Sequence, residues 1–332
     1  VTRALVVRLD SLGDVVVCGP AVRAVAASAG SVTVLAGPRG AEAARLLPGV
    51  DEVLVFDAPW ITADAAPVDP AAVDRLVDEL RGRFDTALVL TSFHQSALPT
   101  ALLLRLAGVP RTAAVSTDHP GSLLDVRLPE PPDDPEPVRM LAVAAGAGFA
   151  LPSGDDGALR LVEDLPAVGD LPAHPVVVHP GADAAARAYP RWAEVVELLA
   201  DEGVDVVVTG GPDERALTAA VAGGRALDLG GRLTVAELAA VLRAADVLAV
   251  GNTGPAHLAS AVGTPVVSLF SPVVPLVRWA PHTPHRVVLG DQSAACAGSR
   301  ARTCPVPGHP CLAGVEPAAV AAAVQQLVGV AA

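Results

Sequence analysis

The chain has 332 residues, of which 52% are hydrophobic and 3% aromatic, and its formal net charge is −13 at pH 7. The length predicts two domains on a prior of roughly 150 residues each, and the acidic balance without a basic stripe or aromatic platform argues against a nucleic-acid partner. All 23 basic residues are arginines, so a side chain that clamps a phosphate must be Arg or His.

Strands and helices alternate through the first half of the chain. The predicted strands are residues 4–9, 31–36, 53–56 and 84–90. The predicted helices are residues 15–27, 38–47, 69–81, 96–107 and 136–149, and residues 118–137 are expected to be irregular because they are rich in Pro and Asp. This alternation is typical of a parallel sheet covered by helices on both faces.

A segment rich in Pro, Gly and Asp, residues 153–175, precedes a second alternating half. This half begins with a strand and glycine turn at residues 176–181, and further strands are predicted at residues 204–209, 226–229, 247–250 and 264–270. Its predicted helices are residues 190–202, 213–222, 234–244, 255–262 and 315–328. The sequence therefore predicts an α/β fold of two doubly wound, Rossmann-like domains, residues 1–165 and 166–332, facing a central cleft. The last helix is a candidate to pack back on the first domain.

The cellular location is predicted from two features of the sequence. No apolar run of 18 residues is free of charges and breakers, so we expect no transmembrane helix. The first residues lead directly into a strand, so we expect no signal peptide and a cytoplasmic location.

The most informative stretch is A-D-V-L-A-V-G-N-T-G-P-A-H-L-A-S-A-V-G-T-P-V-V-S-L-F, residues 245–270. It predicts a buried strand, a tight loop, a short helix and a second strand. Thr253 is a candidate N-cap, Pro255 suits the first helical turn and Gly263 suits the helix end. Backbone N–H groups of such a loop can bind phosphate, with His257 close by. A purely structural glycine turn is the alternative.

Asp14 follows the first strand, so it is expected at the carboxyl edge of the first sheet. A carboxylate there could accept a proton from a hydroxyl as a general base, and the nearby Asp10 in the same loop would raise the pKa of one of the two carboxyls. Alternatively, Asp14 only caps the following helix.

Two further glycine loops are predicted at the edge of the second sheet. The first is H-P-G-A, residues 179–182, with Arg187 and Arg191 downstream, and arginine suits phosphate oxygens. The second is G-G-P-D-E, residues 210–214, in which Glu214 could accept from ribose hydroxyls or merely begin a helix.

The four cysteines are too few and scattered for a disulfide scaffold. Cys18 is expected to lie in the first helix and to be buried in the hydrophobic core. Cys296, Cys304 and Cys311, with His309, do not have common zinc spacing, so structural thiols or a disulfide are favoured over a metal site.

Taken together, these motifs resemble glycosyltransferase family 9, which includes the ADP-heptose-dependent heptosyltransferases. The resemblance covers nearly the full length. It is carried by R-L-D-S-L-G-D-V-V-V-C-G-P-A-V-R-A-V (residues 8–25), V-V-V-H-P-G-A, R-A-Y-P-R-W, V-V-V-T-G-G-P-D-E and the G-N-T-G-P-A-H stretch, in the family's order and spacing.

The resemblance implies a GT-B fold, with an acceptor-binding first domain and a nucleotide-sugar-binding second domain. It implies Asp14 as catalytic base and acceptor-binding residues at Asp10, Ser11, Gly13 and His94. The implied donor-binding residues are His179, Gly181, Arg187, Gly211, Glu214, Asn252, Thr253, Gly254 and His257. Two positions depart from the family pattern: Asn252 stands where Asp is frequent, and Arg187 where Lys is usual.

The implied function is inverting transfer of a sugar, most simply heptose, from ADP-heptose to an acceptor hydroxyl. No metal and no cofactor are required if a helix N-terminus and Arg stabilise the leaving diphosphate. The acceptor is a lipid-linked glycan, a cell-surface saccharide or a small molecule, and peripheral membrane contact is compatible with the first of these. The alternatives are a GT-B sugar-nucleotide epimerase and a non-catalytic nucleotide-sugar-binding protein.

Overall fold

The computed structural model describes residues 2–62 and 64–329. The chain divides into two compact units, one up to Val162 and one from Glu163 onwards. The predicted domains meet at residues 165 and 166, and their outer limits, residues 1 and 330–332, lie outside the described residues.

The first unit contains a six-stranded parallel sheet with the strand order β3-β2-β1-β4-β5-β6. Its strands are Val- and Ala-rich and buried at the centre of the sheet, as expected for strands covered on both faces. They are β1 (Arg3–Arg8), β2 (Ser31–Ala36), β3 (Glu52–Val55), β4 (Thr86–Val89), β5 (Thr112–Val115) and β6 (Val126–Leu128). The α-helices of this unit are α1 (Leu12–Val16), α2 (Gly19–Ala26), α3 (Ala41–Arg45), α4 (Pro70–Leu80), α5 (Leu98–Leu106) and α6 (Glu136–Gly146).

The second unit repeats this order with the sheet β12-β11-β10-β7-β8-β9, again wholly parallel. Its strands are β7 (Val176–His179), β8 (Val206–Val208), β9 (Leu227–Asp228), β10 (Val247–Gly251), β11 (Val266–Leu269) and β12 (Arg286–Leu289). Its α-helices are α7 (Trp192–Asp201), α8 (Arg215–Ala222), α9 (Val235–Ala244), α10 (Gly254–Val262), α11 (Leu276–Trp279), α12 (Pro310–Ala313) and α13 (Pro317–Leu327). Two short 3₁₀ helices are Ala185–Arg187 and Pro212–Glu214.

Local sequence signals explain several helix ends. Asp69 caps α4 by accepting from Ala71 N at 3.0 Å. The predicted capping box of α9 is confirmed, because Thr234 Oγ1 accepts from Glu237 N at 3.2 Å and the Glu237 carboxylate accepts from Thr234 N at 2.8 Å. Gly263 ends α10 in the left-handed conformation, with φ of 86°.

The prediction of one helix over residues 15–27 is wrong. The structure has α1 and α2, separated at Val17 and Cys18, because Pro20 has no N–H for the helical ladder and its ring clashes with a preceding turn. Pro20 instead occupies the first turn of α2. Cys18 is buried as predicted, although it precedes α2 and does not lie within a helix.

The sequence pattern also missed several short elements, among them helices α11 and α12. The segment 118–137, predicted to be irregular, contains β6, and the sequence pattern also missed β5 and β12. Their three or four residues are too few for a clear hydrophobic period.

Helix α13 packs on α7 and on the second sheet, with Val320 and Val324 fully buried in the core of its own unit. In the part of the chain that the structure describes, no helix combines the length and apolarity needed to cross a membrane.

Candidate functional site

The loop after β1 holds a buried ion-pair cluster centred on Arg8. This side chain, 1% exposed, ends a strand whose four preceding residues are apolar. Its Nη2 donates to Asp14 Oδ1 at 2.9 Å, and its Nε lies 2.8 Å from Asp10 Oδ2. The predicted pair Asp10 and Asp14 is therefore brought together around one guanidinium.

Asp14 also accepts from the start of its own helix. Ser11, the residue before α1, donates from its hydroxyl at 2.6 Å and from its backbone N at 3.3 Å, both to Asp14 Oδ2. The capping geometry of the alternative interpretation is thus present. Capping alone, however, does not account for the hydrogen bond from the buried Arg8 to Asp14. Gly13 is buried within the same helix.

The environment moves the pKa values of the two carboxyls in opposite directions. Burial alone would raise the pKa of Asp14, but Arg8 and the Ser11 hydrogen bonds hold it below its usual value. Burial raises the pKa of Asp10, and this outweighs its attraction to Arg8 and the hydrogen bond from Gln95. Asp14 is therefore the better-ionised carboxylate of the pair at neutral pH.

A cavity of about 210 Å³ adjoins this cluster, at the carboxyl ends of β4, β5 and β6. His94, a predicted acceptor-binding residue, lines it and stacks edge-on against Phe93 with the ring centroids 5.2 Å apart. Ser92 and Gln95 also line it. Ser92 Oγ accepts from Arg8 Nη2 at 2.7 Å, and Gln95 donates to Asp10.

Ser92 and Gln95 were not predicted as site residues, because they lie more than 80 residues from the side chains that they contact. Arg8 was not predicted as a site residue either. An arginine at the end of an apolar strand, two residues before Asp10 and six before Asp14, was the signal that could have predicted the ion pair.

Gly37 gives a testable link between this loop and stability. A Cβ at Gly37 would lie 2.2 Å from the carbonyl oxygen of Leu9, the residue before Asp10. This distance is too short for a contact, so the backbone at Leu9 or at Gly37 would have to shift. We expect Gly37→Ala to lower the free energy of unfolding by about 1–3 kcal/mol in urea titrations. The control is Gly169→Ala, where nothing lies within 4 Å of the added methyl group. Equal stability of the two variants would contradict this prediction.

In the second unit, the loop between β10 and α10 has the predicted geometry. Thr253 is the N-cap residue in extended backbone, and Pro255 lies in the first turn of α10. Thr253 does not cap the helix with its side chain, and its buried Oγ1 has no hydrogen-bond partner among the described residues. His257 is 6% exposed and packs edge-on against Trp279, with the ring centroids 6.2 Å apart.

Asn252 ties this loop to the segment that follows β11. Its side-chain oxygen accepts from Ser271 N at 3.2 Å, and its amide nitrogen donates to Ser271 O at 3.4 Å. An aspartate could not make the second contact, because an ionised carboxylate has no donor. The Asn at this position therefore has a structural reason of its own.

Arg187 lies close to the same loop. Its Nη1 donates to Asn252 O at 3.4 Å, while Nη2 pairs with Asp183 Oδ1 at 2.7 Å. The guanidinium is thus held beside the residue that precedes Thr253, which adds positive charge next to the N-terminus of α10.

The remaining predicted residues of this unit form one cluster at the ends of β7 and β8. Glu214 Oε2 accepts from Gly211 N at 2.7 Å and lies 3.9 Å from His179 Nε2. A Cβ at Gly181 would lie 1.9 Å from Glu214 Oε1, so glycine leaves room for this carboxylate. Burial lowers the pKa of His179, so the imidazole is neutral at pH 7.

The cysteines are free thiols in the structure. Burial raises the pKa of Cys311 to about 11, which keeps it protonated. His309 Nε2 lies 3.1 Å from Ala186 O and thereby ties this segment to the turn that carries Arg187. Within residues 2–62 and 64–329, no group of three or more His, Cys, Asp or Glu side chains is arranged to hold a metal ion.

A family model and a curated relative both show that the chain is similar to heptosyltransferases. The model of a family described as glycosyltransferase family 9 (heptosyltransferase) matches residues 73–309. Lipopolysaccharide heptosyltransferase 3 of Escherichia coli is 33% identical over 97 residues, which are 27% of this chain and 28% of that protein. The chain thus spans little more than a quarter of that relative's length.

Two solved E. coli structures share the fold over nearly the whole chain. The structure of ADP-heptose LPS heptosyltransferase II has a TM-score of 0.73 at 19% identity, covering 98% of both chains. The heptosyltransferase WaaC with ADP-2-deoxy-2-fluoro heptose has a TM-score of 0.70 at 20% identity, covering 99% of this chain and 100% of that one. At such identities the likeness establishes the architecture alone.

Proposed function

The chain belongs to glycosyltransferase family 9 and has the GT-B fold, and on this premise we propose that it transfers a sugar from a nucleoside diphosphate to an acceptor hydroxyl. We propose ADP-heptose as the donor. This choice is supported by the similar structure of WaaC, which is described with an ADP-heptose analogue. The observation that carries the proposal is the carboxylate of Asp14, kept ionised by Arg8 and Ser11.

Asp14 acts as the general base. Its carboxylate takes the proton of the acceptor hydroxyl while the hydroxyl oxygen forms a bond to the anomeric carbon. The bond from that carbon to the diphosphate oxygen breaks, and ADP leaves with the electron pair. A single displacement of this kind inverts the anomeric configuration.

The leaving diphosphate is stabilised by groups of the second unit. The N-terminus of α10 offers backbone N–H groups and the positive end of a helix dipole, and the adjacent guanidinium of Arg187, which also pairs with Asp183, offers further N–H donors. These groups supply the charge relief that developing negative charge requires, so the proposed reaction needs no metal. Glu214, beside neutral His179, is assigned to the ribose hydroxyls.

Thr253 supplies a specific test of diphosphate binding. Its buried hydroxyl has no hydrogen-bond partner within residues 2–62 and 64–329, so a bound phosphate oxygen would satisfy it. We expect Thr253→Val, which keeps the side-chain shape, to weaken ADP binding roughly tenfold, or about 1.4 kcal/mol, in calorimetric titrations. The exposed Thr303→Val is the control and should bind ADP as the unmodified chain does. Unchanged affinity of Thr253→Val would remove this residue from the site.

The activity itself is tested with ADP-heptose and water as the minimal acceptor. We expect slow release of ADP, with the free heptose appearing first as the anomer opposite to that of the donor, and no loss of rate in excess chelator. Retention of configuration would contradict the single displacement, and a chelator-sensitive rate would contradict metal independence. Conversion of the donor sugar without ADP release would instead identify an epimerase, and tight binding without turnover a binding protein.

The cytoplasmic location remains part of this proposal. Fractionation of cells that express the chain, followed by immunoblotting, tests it.

A further inference from the structure

The cavity beside Asp14 carries information about the acceptor. It lies within the first unit and is formed by the residues that follow β4, β5 and β6 together with one face of α6. Hydroxyl and amide side chains form much of its wall, including Ser92, Gln95, Ser116 and Thr117. Such groups suit a polyhydroxylated ligand, since each can donate or accept a hydrogen bond.

The wall is joined directly to the proposed base. One nitrogen, Arg8 Nη2, donates both to Ser92 Oγ at 2.7 Å and to Asp14 Oδ1 at 2.9 Å. The backbone N of Ser92 in turn donates to Gln95 Oε1 at 3.0 Å. A hydroxyl group at this end of the cavity would therefore lie close to the Asp14 carboxylate.

The wall of the cavity carries more negative than positive side chains. Among its lining residues, all of them described in the structure, Arg139 is the single arginine, and the chain contains no lysine. This side chain is 3% exposed and is already paired with Glu130, with Glu136 and with the carbonyls of Pro131 and Pro132. The carboxylates of Asp118 and Glu130 also line the cavity.

The ion-pair cluster behind Ser92 and Gln95 adds no net positive charge either. Arg8 there faces two carboxylates, Asp10 and Asp14. Binding of an anionic ligand is consequently unfavourable. The ligand would lose its hydration, while the arginines of the wall are already paired and the additional carboxylates repel it.

We infer that the acceptor of this chain is an uncharged or amine-bearing sugar or cyclitol, without a carboxylate or phosphate on the ring that carries the reacting hydroxyl. This inference rests on the proposed function, because it takes the cavity beside Asp14 to be the acceptor site. It narrows the acceptor by charge and makes Asp118 and Glu130 specificity-determining residues.

Three matched probes test the inference: methyl glucosaminide, methyl glucoside and methyl glucuronide, which carry an ammonium, no charge and a carboxylate on one ring scaffold. Dissociation constants are measured by ligand-observed NMR titration at low salt with the full chain and saturating ADP. We expect the glucosaminide to bind at least tenfold more tightly than the glucuronide, with the glucoside between them. Tighter binding of the glucuronide, equal binding, or no binding of any probe would overturn the inference.

Substitutions of the wall carboxylates test whether the preference for the glucosaminide arises in the cavity. Asp118→Asn combined with Glu130→Gln should reduce the preference for the glucosaminide several-fold. Asp74→Asn, an exposed site on α4 that does not line the cavity, should leave the preference unchanged. An equal change in both variants would show a long-range charge effect and overturn the assignment to this wall.

The failure of this inference is distinguishable from failure of the proposed function. ADP binding is measured in the same samples and depends on the second unit. If ADP binds but the probe order is reversed, only the acceptor class is wrong. If the probe order holds but ADP does not bind, the proposed donor is wrong.

Discussion

Substitution of Asp14 by Asn is expected to lower kcat for sugar transfer by about 10²–10⁴-fold. Asn keeps the size of the side chain and one oxygen for the Ser11 or Arg8 hydrogen bond, but an amide cannot take the acceptor proton. ADP affinity should not change, because the proposed nucleotide residues belong to the other unit. The measurement is ADP release under saturating donor, together with calorimetric titration of ADP.

The pH profile of the same reaction gives a second readout. Since the environment holds the pKa of Asp14 below its usual value of 3.8, the base is ionised throughout the neutral range. We therefore expect kcat/KM to lose activity through this group only below about pH 4. Asp74→Asn, which removes an exposed carboxylate, is the matched control and should keep full activity. An Asp14→Asn variant with normal turnover would remove Asp14 from the base role.

Substitution of Arg8 by Met is expected to cost about 3–5 kcal/mol of stability at pH 7. Met fills a similar volume next to Met140, whose sulfur contacts the guanidinium at 3.5 Å. Asp10 and Asp14, however, lose the cation that both of them face. Urea denaturation at pH 7 measures the loss. The exposed Arg75→Met, which breaks a loose 3.7 Å pair with Asp69, should stay within about 0.5 kcal/mol.

The sign of the pH dependence follows from the two pKa shifts. Asp14, with a lowered folded pKa, contributes stability that is present above its unfolded pKa and lost as the pH falls through the folded pKa. Without Arg8, burial remains and raises the pKa of this carboxyl, as burial already does for Asp10. The deficit of Arg8→Met should therefore be largest at pH 7 and shrink toward pH 4, where protonated carboxyls need no cation. A deficit that grows on acidification would contradict this explanation.

The second unit was the more predictable half from sequence. The strand, loop and helix over residues 247–263 are confirmed because β-branched residues, Pro255 and Gly263 act locally on the backbone. The proximity of Arg187 to the Thr253 loop and of Glu214 to His179 follows from parallel strands that end at one edge of a sheet. The binding roles of these residues stay predictions.

The first unit was less predictable, for two physical reasons. Its strands β5 and β6 are short, and residues around β6 are rich in Pro and Asp, so the local pattern indicated loop. The contacts of Arg8 with Ser92 and of Gln95 with Asp10 join distant segments through the pairing of β1 with β4. No local pattern encodes such a pairing. Asn252 is a similar case, since its partner Ser271 lies beyond the next strand.

The repeated strand order has a consequence for how this chain can diversify. Each sheet is packed around a hydrophobic cluster of its own, one built from Leu5, Leu35 and Leu104 with their neighbours and the other from Val178, Leu199 and Val324 with theirs. Substitutions in the wall near Asp118 therefore leave the hydrophobic cluster of the second unit unchanged. If the proposed function holds, the acceptor site can diversify by such substitutions while the core that supports the proposed diphosphate site stays the same.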